Sequence, residues 1–143
     1  MKEQPDEIEN IGVKINLKYL GVKINNTKNC FEDFKKEQIL KARQLANMSH
    51  SIMARSCNRL LIGKNYWKSL CLFSVLCAAE VIEFSESDLL QLQVIENSVY
   101  RSILQAPKYI AAGALRGEVG ASTCRARDAK TKILYAKHLI KGR

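Results

Sequence analysis

Carboxylates are the first residues to consider, because polymerase, nuclease and glycosidase chemistry needs two of them close together to hold Mg²⁺ or to act as acid and base. The four aspartates each stand in a context that predicts a polar, capping or ion-pair role: Asp6, Asp33, Asp88 and Asp128. Gly63-Lys64 lacks the upstream glycine and the following Ser or Thr of a phosphate-binding loop. We therefore predict no catalytic residues and no cofactor for this chain alone.

Cysteine and histidine usage gives no metal-binding pattern. The five cysteines are odd in number and show no Cys-x-x-Cys spacing: Cys30, Cys57, Cys71, Cys77 and Cys124. Neither histidine, His50 or His138, has a cysteine at ligand spacing, so we expect no zinc site. Because no secretory leader pattern opens the chain, we expect free thiols and an intracellular protein of the nucleus or cytoplasm.

Charge is distributed unevenly along the 143 residues, whose formal net charge is +9. Residues 28–68 carry nine basic and three acidic side chains, and residues 100–143 carry ten and two. Residues 69–99 between them carry five acidic side chains and no basic one. Two basic segments around an acidic one are typical of a protein with a basic face for a polyanion, although solvated helix surfaces would give the same pattern.

The N-terminal part reads as a tail followed by a short hairpin. Residues 1–10 are polar and acidic, which predicts a disordered tail. From Ile11 to Ile24 apolar and polar residues alternate with a one-residue shift, which predicts a strand or a hairpin with a bulge near Lys18 or Tyr19. Asn25-Asn26-Thr27 predicts the turn that closes it.

Residues 27–143 show helical spacing and predict one helical region. The first helix begins near Phe31, with Asn29 near its N-cap and an apolar stripe of Phe31, Phe34, Gln38, Ala42, Leu45, Met48 and Ile52. Another of its faces carries a polar, mostly basic stripe: Lys36, Arg43, Asn47 and His50. A break near Ile62-Gly63-Lys64 precedes a second helix, 65–79, which is apolar on most sides and is therefore expected to be buried.

Two further helices complete the predicted architecture. Ser85-x-x-Asp88 has the form of a capping box and opens a third helix with the stripe Leu92, Ile95, Val99 and Ile103, ended by Pro107. After about one helical turn at 112–117, a last helix has the stripe Ala126, Ala129, Ile133, Ala136 and Ile140. The predicted fold is therefore mainly α, with a short N-terminal β-hairpin followed by a four-helix bundle.

Three short signatures stand in order along the chain. The first is Tyr19-Leu20-Gly21. The second lies in the third helix and consists of Leu92, Ile95, Glu96, Asn97, Tyr100, Arg101, Ile103, Leu104, Ala106 and Pro107. The third is an Ala-Leu-x-x-Glu-x-Gly turn at 114–120. Together they resemble the end of the palm, the thumb and the connection region of reverse transcriptases from non-LTR (LINE-like) retrotransposons, over residues 18–120.

The resemblance implies a set of nucleic-acid contacts. Residues 11–26 match the end of the palm with its primer-grip hairpin, where a glycine lets the backbone approach the primer terminus. Residues 27–143 match the thumb and connection region. The implied nucleic-acid-binding residues are Lys18, Tyr19, Leu20, Gly21, Lys23, Lys36, Arg43, Asn47 and His50. The chain would hold a template-primer duplex without sequence preference.

The chain departs from this family by lacking the palm Asp-Asp pair that binds Mg²⁺ in the parent RNA-directed DNA polymerase. We therefore expect a fragment of a mobile-element polymerase without activity of its own. Two alternatives stay open: a non-enzymatic helical protein-interaction module, and a decayed element product without selected function. The apolar run 70–79 is half the ~20 residues needed to span a bilayer, so we expect no membrane partner. No small-molecule site is evident in the sequence.

Overall fold

A computed structural model of the chain describes residues 16–19, 22–25, 30–76 and 79–142. Strands β1 (Asn16–Tyr19) and β2 (Val22–Asn25) form an antiparallel pair. Their register runs without interruption from Asn16 opposite Asn25 to Tyr19 opposite Val22, so the predicted bulge near Lys18 or Tyr19 is wrong. The shift in apolar alternation instead coincides with residues 20–21, between the two strands. Asn25, the first residue of the predicted turn, is the last residue of β2. Residues 20–21, the predicted tail, residues 11–15 of the predicted hairpin, residues 26–27 of the predicted turn and Asn29 lie outside the described residues.

Helix α1 (Glu32–Ala54) begins after Phe31, which makes no side-chain capping bond. Burial of Phe34, Gln38 and Ala42 confirms the first half of the predicted stripe. The second half is wrong, because Met48 and Ile52 are exposed. The buried positions there are Ala46, Ser49 and Met53. Ala46 and Ser49 are small enough to let the neighbouring helix approach, and the Ser49 hydroxyl is satisfied by donating to the Ala46 carbonyl at 2.6 Å.

Helix α2 (Arg59–Tyr66) continues through a π-helical segment (Trp67–Cys71) into α3 (Leu72–Val75). The predicted break at 62–64 is therefore wrong; the chain leaves helical structure at 55–58, where the Asn58 side chain accepts from the Leu61 N–H at 3.1 Å. Gly63 lies inside the helix for a packing reason. A Cβ there would stand 2.6 Å from Met53 Sδ and 2.8 Å from Ile103 Cγ1.

This continuous helical stretch is not buried on all sides as predicted. Trp67, Cys71 and Val75 face the core, whereas Leu70 is 57% and Phe73 80% exposed. An apolar side chain is therefore not always buried, because this helix presents only one face to its neighbours.

Helix α4 (Glu86–Leu104) is the centre of the fold and contacts α1, α2, α5 and α6. The predicted capping box is confirmed: the Asp88 N–H donates to Ser85 Oγ, and the Ser85 N–H donates to Asp88 Oδ2. All four residues of its predicted stripe are buried: Leu92, Ile95, Val99 and Ile103. The helix ends in Gln105, whose φ of 53° is left-handed.

Helices α5 (Ala112–Val119) and α6 (Cys124–Lys141) follow, so the single turn expected at 112–117 is a full short helix. The predicted stripe of α6 is wrong, because Ala126 and Ala129 are exposed and Ile133 and Ile140 are 67% and 77% exposed. Its buried residues are Cys124 and Asp128, both near its start. The helix packs by its first turns, and every residue from 133 to 141 is exposed.

The prediction of a mainly helical chain with an N-terminal hairpin is confirmed over the described residues. The packing of α1, α2 and α6 around α4 is compatible with the predicted bundle. Within the described part of the chain, no helix has the length and apolar character that a membrane crossing requires.

Candidate nucleic-acid interface and the buried glutamate cluster

The polar residues predicted on α1 share one face of the helix. Lys36, Arg43 and Asn47 are exposed, and His50 is half-buried. Their spacings of seven, four and three residues keep them within one stripe, which is about 21 Å long at the rise of an α-helix. Leu40, 57% exposed, lies in the same stripe. We call Lys36, Arg43, Asn47 and His50 the α1 basic face.

One cation of this face already has an anionic partner. Lys36 Nζ lies 2.9 Å from Glu32 Oε1, four residues earlier, and both side chains are exposed. The hydrogen bond and the negative charge of Glu32 raise the pKa of Lys36, which therefore stays charged. Exposed pairs of this kind contribute little to stability because water and salt screen them. A phosphate could therefore replace Glu32 as the partner of Lys36 at small cost.

The hairpin brings two more of the predicted cations together. Lys18 and Lys23 are direct cross-strand partners, so their side chains leave the same face of the strand pair. Lys23 Nζ also forms an ion pair with Glu37 of α1, which joins the hairpin to that helix. Of the remaining predicted residues, Tyr19 is described by its place in β1, and Leu20 and Gly21 lie outside the described residues.

A second group of polar side chains, which the sequence analysis did not predict as a cluster, surrounds Glu96 of α4. This carboxylate is 1% exposed. Its Oε1 accepts from Trp67 Nε1 at 3.2 Å and from the Tyr100 hydroxyl. Its Oε2 accepts from Gln93 Nε2 and Cys124 Sγ, each at 3.3 Å, and from Arg127 Nη2. We call Glu96 and these five donors the Glu96 cluster.

Burial and charge hold the neighbouring groups of Glu96 in their protonated states. Burial, together with the negative charge of Glu96, raises the pKa of Cys124 to about 12 and raises that of Tyr100 as well. For Arg127, burial acts to lower the pKa, but the charge and hydrogen bond of Glu96 outweigh it and leave the pKa raised. The hydrogen bonds of the cluster join α4, α6 and the π-helical segment.

The sequence did contain a signal for this cluster. Glu96 lies four residues after Leu92 and three before Val99, so it falls within the buried stripe of α4. A carboxylate in such a stripe must be paired, because an uncompensated buried charge is strongly unfavourable. Nothing in the spacing identified its partners, since Trp67 and Arg127 lie 29 and 31 residues away.

Several residues of the second and third signatures fix the corner between α4 and α5. Arg101 donates to the Pro107 carbonyl at 2.8 Å and to the Ile110 carbonyl at 2.9 Å. Asn97 Oδ1 accepts from Arg116 Nη1 at 3.3 Å. Gly120 ends α5 with a left-handed φ of 68°. These signature residues therefore stabilise the corner between α4 and α5.

Comparison of the chain with family models, curated proteins and solved structures gives no match. Across the described residues, no three His, Cys, Asp or Glu side chains are grouped so that they could hold a metal ion. The function of this chain is therefore inferred from the arrangement of its own residues.

Proposed function

We propose that this chain binds nucleic-acid duplex through phosphate contacts, as the thumb and connection part of a non-LTR retrotransposon reverse transcriptase. In that role it positions the primer and template, while Mg²⁺-dependent nucleotide addition belongs to the parent polymerase. The chain alone is catalytically incomplete.

The observation that carries the proposal is the α1 basic face. Lys36, Arg43 and Asn47 are exposed along one side of a helix, and the hairpin with its paired Lys18 and Lys23 is joined to the same helix through Glu37. A row of cations on a rigid helix suits the regular spacing of a phosphate backbone. Such contacts position a duplex without reading its sequence, as the resemblance implies.

Salt dependence of binding tests the proposal directly. If about four phosphates are neutralised, the logarithm of the association constant falls with the logarithm of salt concentration at a slope of about −3 to −4. Fluorescence anisotropy of a labelled 20-base-pair duplex, measured from low to moderate salt, gives this slope. Binding that does not depend on salt, or no binding at low ionic strength, would contradict the proposal.

A double charge reversal, Lys36→Glu with Arg43→Glu, tests whether the α1 basic face is the contact surface. We expect it to abolish measurable duplex binding without a measurable change in melting temperature, because both side chains are exposed. The matched control is Lys108→Glu with Lys130→Glu, which makes the same change of charge at two other exposed lysines. Equal loss in both variants would show that net charge, and not this face, determines binding.

The alternative function, protein interaction through helical surfaces, is favoured by the end of α6. Exposed apolar side chains extend along it: Ile133, Leu134, Tyr135, Leu139 and Ile140. Unchanged duplex binding in the charge-reversal variant, together with a shift of sedimentation coefficient in the presence of a partner, would favour this second function.

A further inference from the structure

A cavity of about 260 Å³ opens beside the Glu96 cluster. It is bounded by α2, the π-helical segment, α4 and the connection between α5 and α6. Three of its lining residues are cationic, Lys64, Lys68 and Arg127, and none of the described residues that line it is acidic. We call it the Lys64 pocket.

The two lysines of the pocket have defined positions. Lys64 and Lys68 are four residues apart, so both lie on the same side of the helical stretch that borders the pocket. A Cβ built on Gly120 would stand 3.5 Å from Lys64 Nζ, which shows that this ammonium lies over the C-terminal end of α5. The partial negative charge of a helix C-terminus favours a cation there. Among the described residues neither lysine forms an ion pair, so both ammonium groups can bind an anionic ligand.

Arg127 adds a third cation, and Glu96 holds its guanidinium in place. Its Nη2 donates to Glu96, and its side chain is only 17% exposed. Its Nε atom is buried and has no hydrogen-bond partner among the described residues. Glu96 neutralises one of the three positive charges, which leaves the region around the pocket with an excess of two. That excess belongs to Lys64 and Lys68, and Arg127 contributes a largely buried hydrogen-bond donor beside them.

The size and the polar groups of the pocket restrict the ligand. Its volume is below the roughly 300 to 1,000 Å³ of pockets that hold drug-sized molecules. Ser122 lines it and brings a hydroxyl that can donate to an oxyanion. A compact anion with several acceptor oxygens matches three cations and a hydroxyl better than an apolar ligand does.

We propose that the Lys64 pocket binds the phosphate group of a larger compound. The phosphate can come from a nucleic-acid backbone or from a free phosphate compound. In the first case the pocket is a second contact beyond the α1 basic face, and this case alone rests on the proposed function.

The chain contains a built-in reporter for this site, because Trp67 is its single tryptophan and lines the pocket. We would titrate the full chain with pyrophosphate and, separately, with the 20-base-pair duplex, and follow Trp67 emission. Sodium chloride at matched ionic strength controls for screening. We expect a saturable change with pyrophosphate that sodium chloride does not reproduce.

The variant Lys64→Gln with Lys68→Gln should weaken pyrophosphate binding at least about tenfold, which corresponds to the loss of one charge-assisted hydrogen bond. The matched control is Lys108→Gln with Lys130→Gln, which removes the same charge elsewhere and should bind as the unmodified chain does. If the double variant melts at a lower temperature, Lys68→Gln alone repeats the test, because Lys68 is exposed.

The two titrations distinguish failure of this inference from failure of the proposed function. Duplex binding seen by anisotropy, with Trp67 unresponsive to both ligands, overturns the pocket and leaves the α1 basic face intact. A Trp67 response to pyrophosphate without any duplex binding supports a free phosphate compound as the ligand and contradicts the proposed function. A response to both ligands, each weakened by the double variant, supports a backbone phosphate. No response and no duplex binding overturns both.

Discussion

Glu96 and Lys36 each pair with an oppositely charged side chain, but the two pairs lie in opposite environments. Glu96 is 1% exposed and accepts from five donors on three helical segments. Lys36 and its partner Glu32 are both exposed and lie on one helix. The charge of Glu96 is needed for the fold, because removing it leaves the buried Arg127 without a counter-ion. The charge of Lys36 can exchange Glu32 for another anion, and ligand binding requires such an exchange.

The largest effect should follow from Glu96→Ala. This change leaves the Arg127 guanidinium buried without its counter-ion, and we expect the free energy of unfolding to fall by about 3–5 kcal/mol. Urea unfolding monitored by circular dichroism gives this value. The control is Glu86→Ala, which removes an exposed carboxylate 3.3 Å from Arg125 and should have no measurable effect. Equal stability of the two variants would show that burial does not distinguish these pairs.

A smaller loss should follow from Gly63→Ala. The new methyl group would meet Met53 and Ile103 at distances shorter than side-chain carbons adopt, and we expect a destabilisation of about 1–3 kcal/mol from overpacking. Gly117→Ala is the matched control, since it also adds a methyl group within a helix but meets no atom within 4 Å. The control should be neutral or slightly stabilising, because alanine favours helix. A neutral Gly63→Ala would show that α2 can move away from α1 and α4.

The smallest effect concerns pH. The pKa of Cys124 is about 12 in the folded chain against an ordinary value of 9.0, so folding holds this proton more tightly. The associated stability is complete below pH 9 and is lost as pH rises toward 12. Between pH 8 and 10 the loss should be about 1 kcal/mol. Cys124→Ala should reduce the fall in stability over this range, measured by urea unfolding at each pH. An identical pH dependence in both proteins would contradict the raised pKa.

The same two regions show how far the sequence could be interpreted. The stripe of α4 was predictable in full, because Leu92, Ile95, Val99 and Ile103 are large apolar residues at helical spacing and all four are buried. The α1 stripe was predictable only in its first half. In its second half the buried residues include Ala46 and Ser49. A prediction from hydrophobic spacing prefers the larger apolar residues Met48 and Ile52 at these turns. Whether such small residues are buried depends on how closely another helix packs against them. The local sequence does not contain that information.

The candidate sites differ in the same way. Residues of the α1 basic face could be assigned to one side of a helix from their spacing, because α-helical geometry fixes it. The Glu96 cluster and the Lys64 pocket could not, because their members come from segments about 30 residues apart that only the tertiary fold brings together. The predicted apolar stripe of α6 was wrong for a related reason. Helical periodicity identifies a face but does not say whether a neighbour covers it.

The π-helical segment has a consequence for tolerance to insertion and deletion. There the Leu72 N–H bonds to the Trp67 carbonyl, five residues back, so this turn holds one more residue than an α-helical turn. Deleting one residue within it would let ordinary α-helical bonding continue but would rotate everything before the deletion by about 100° relative to everything after it. Trp67 could then reach Glu96, or Val75 could stay in the core, but not both. The extra residue thus sets the rotation between the two halves of this helix so that Trp67 and Val75 both face the core. We therefore expect this segment to tolerate substitutions more readily than a change of length.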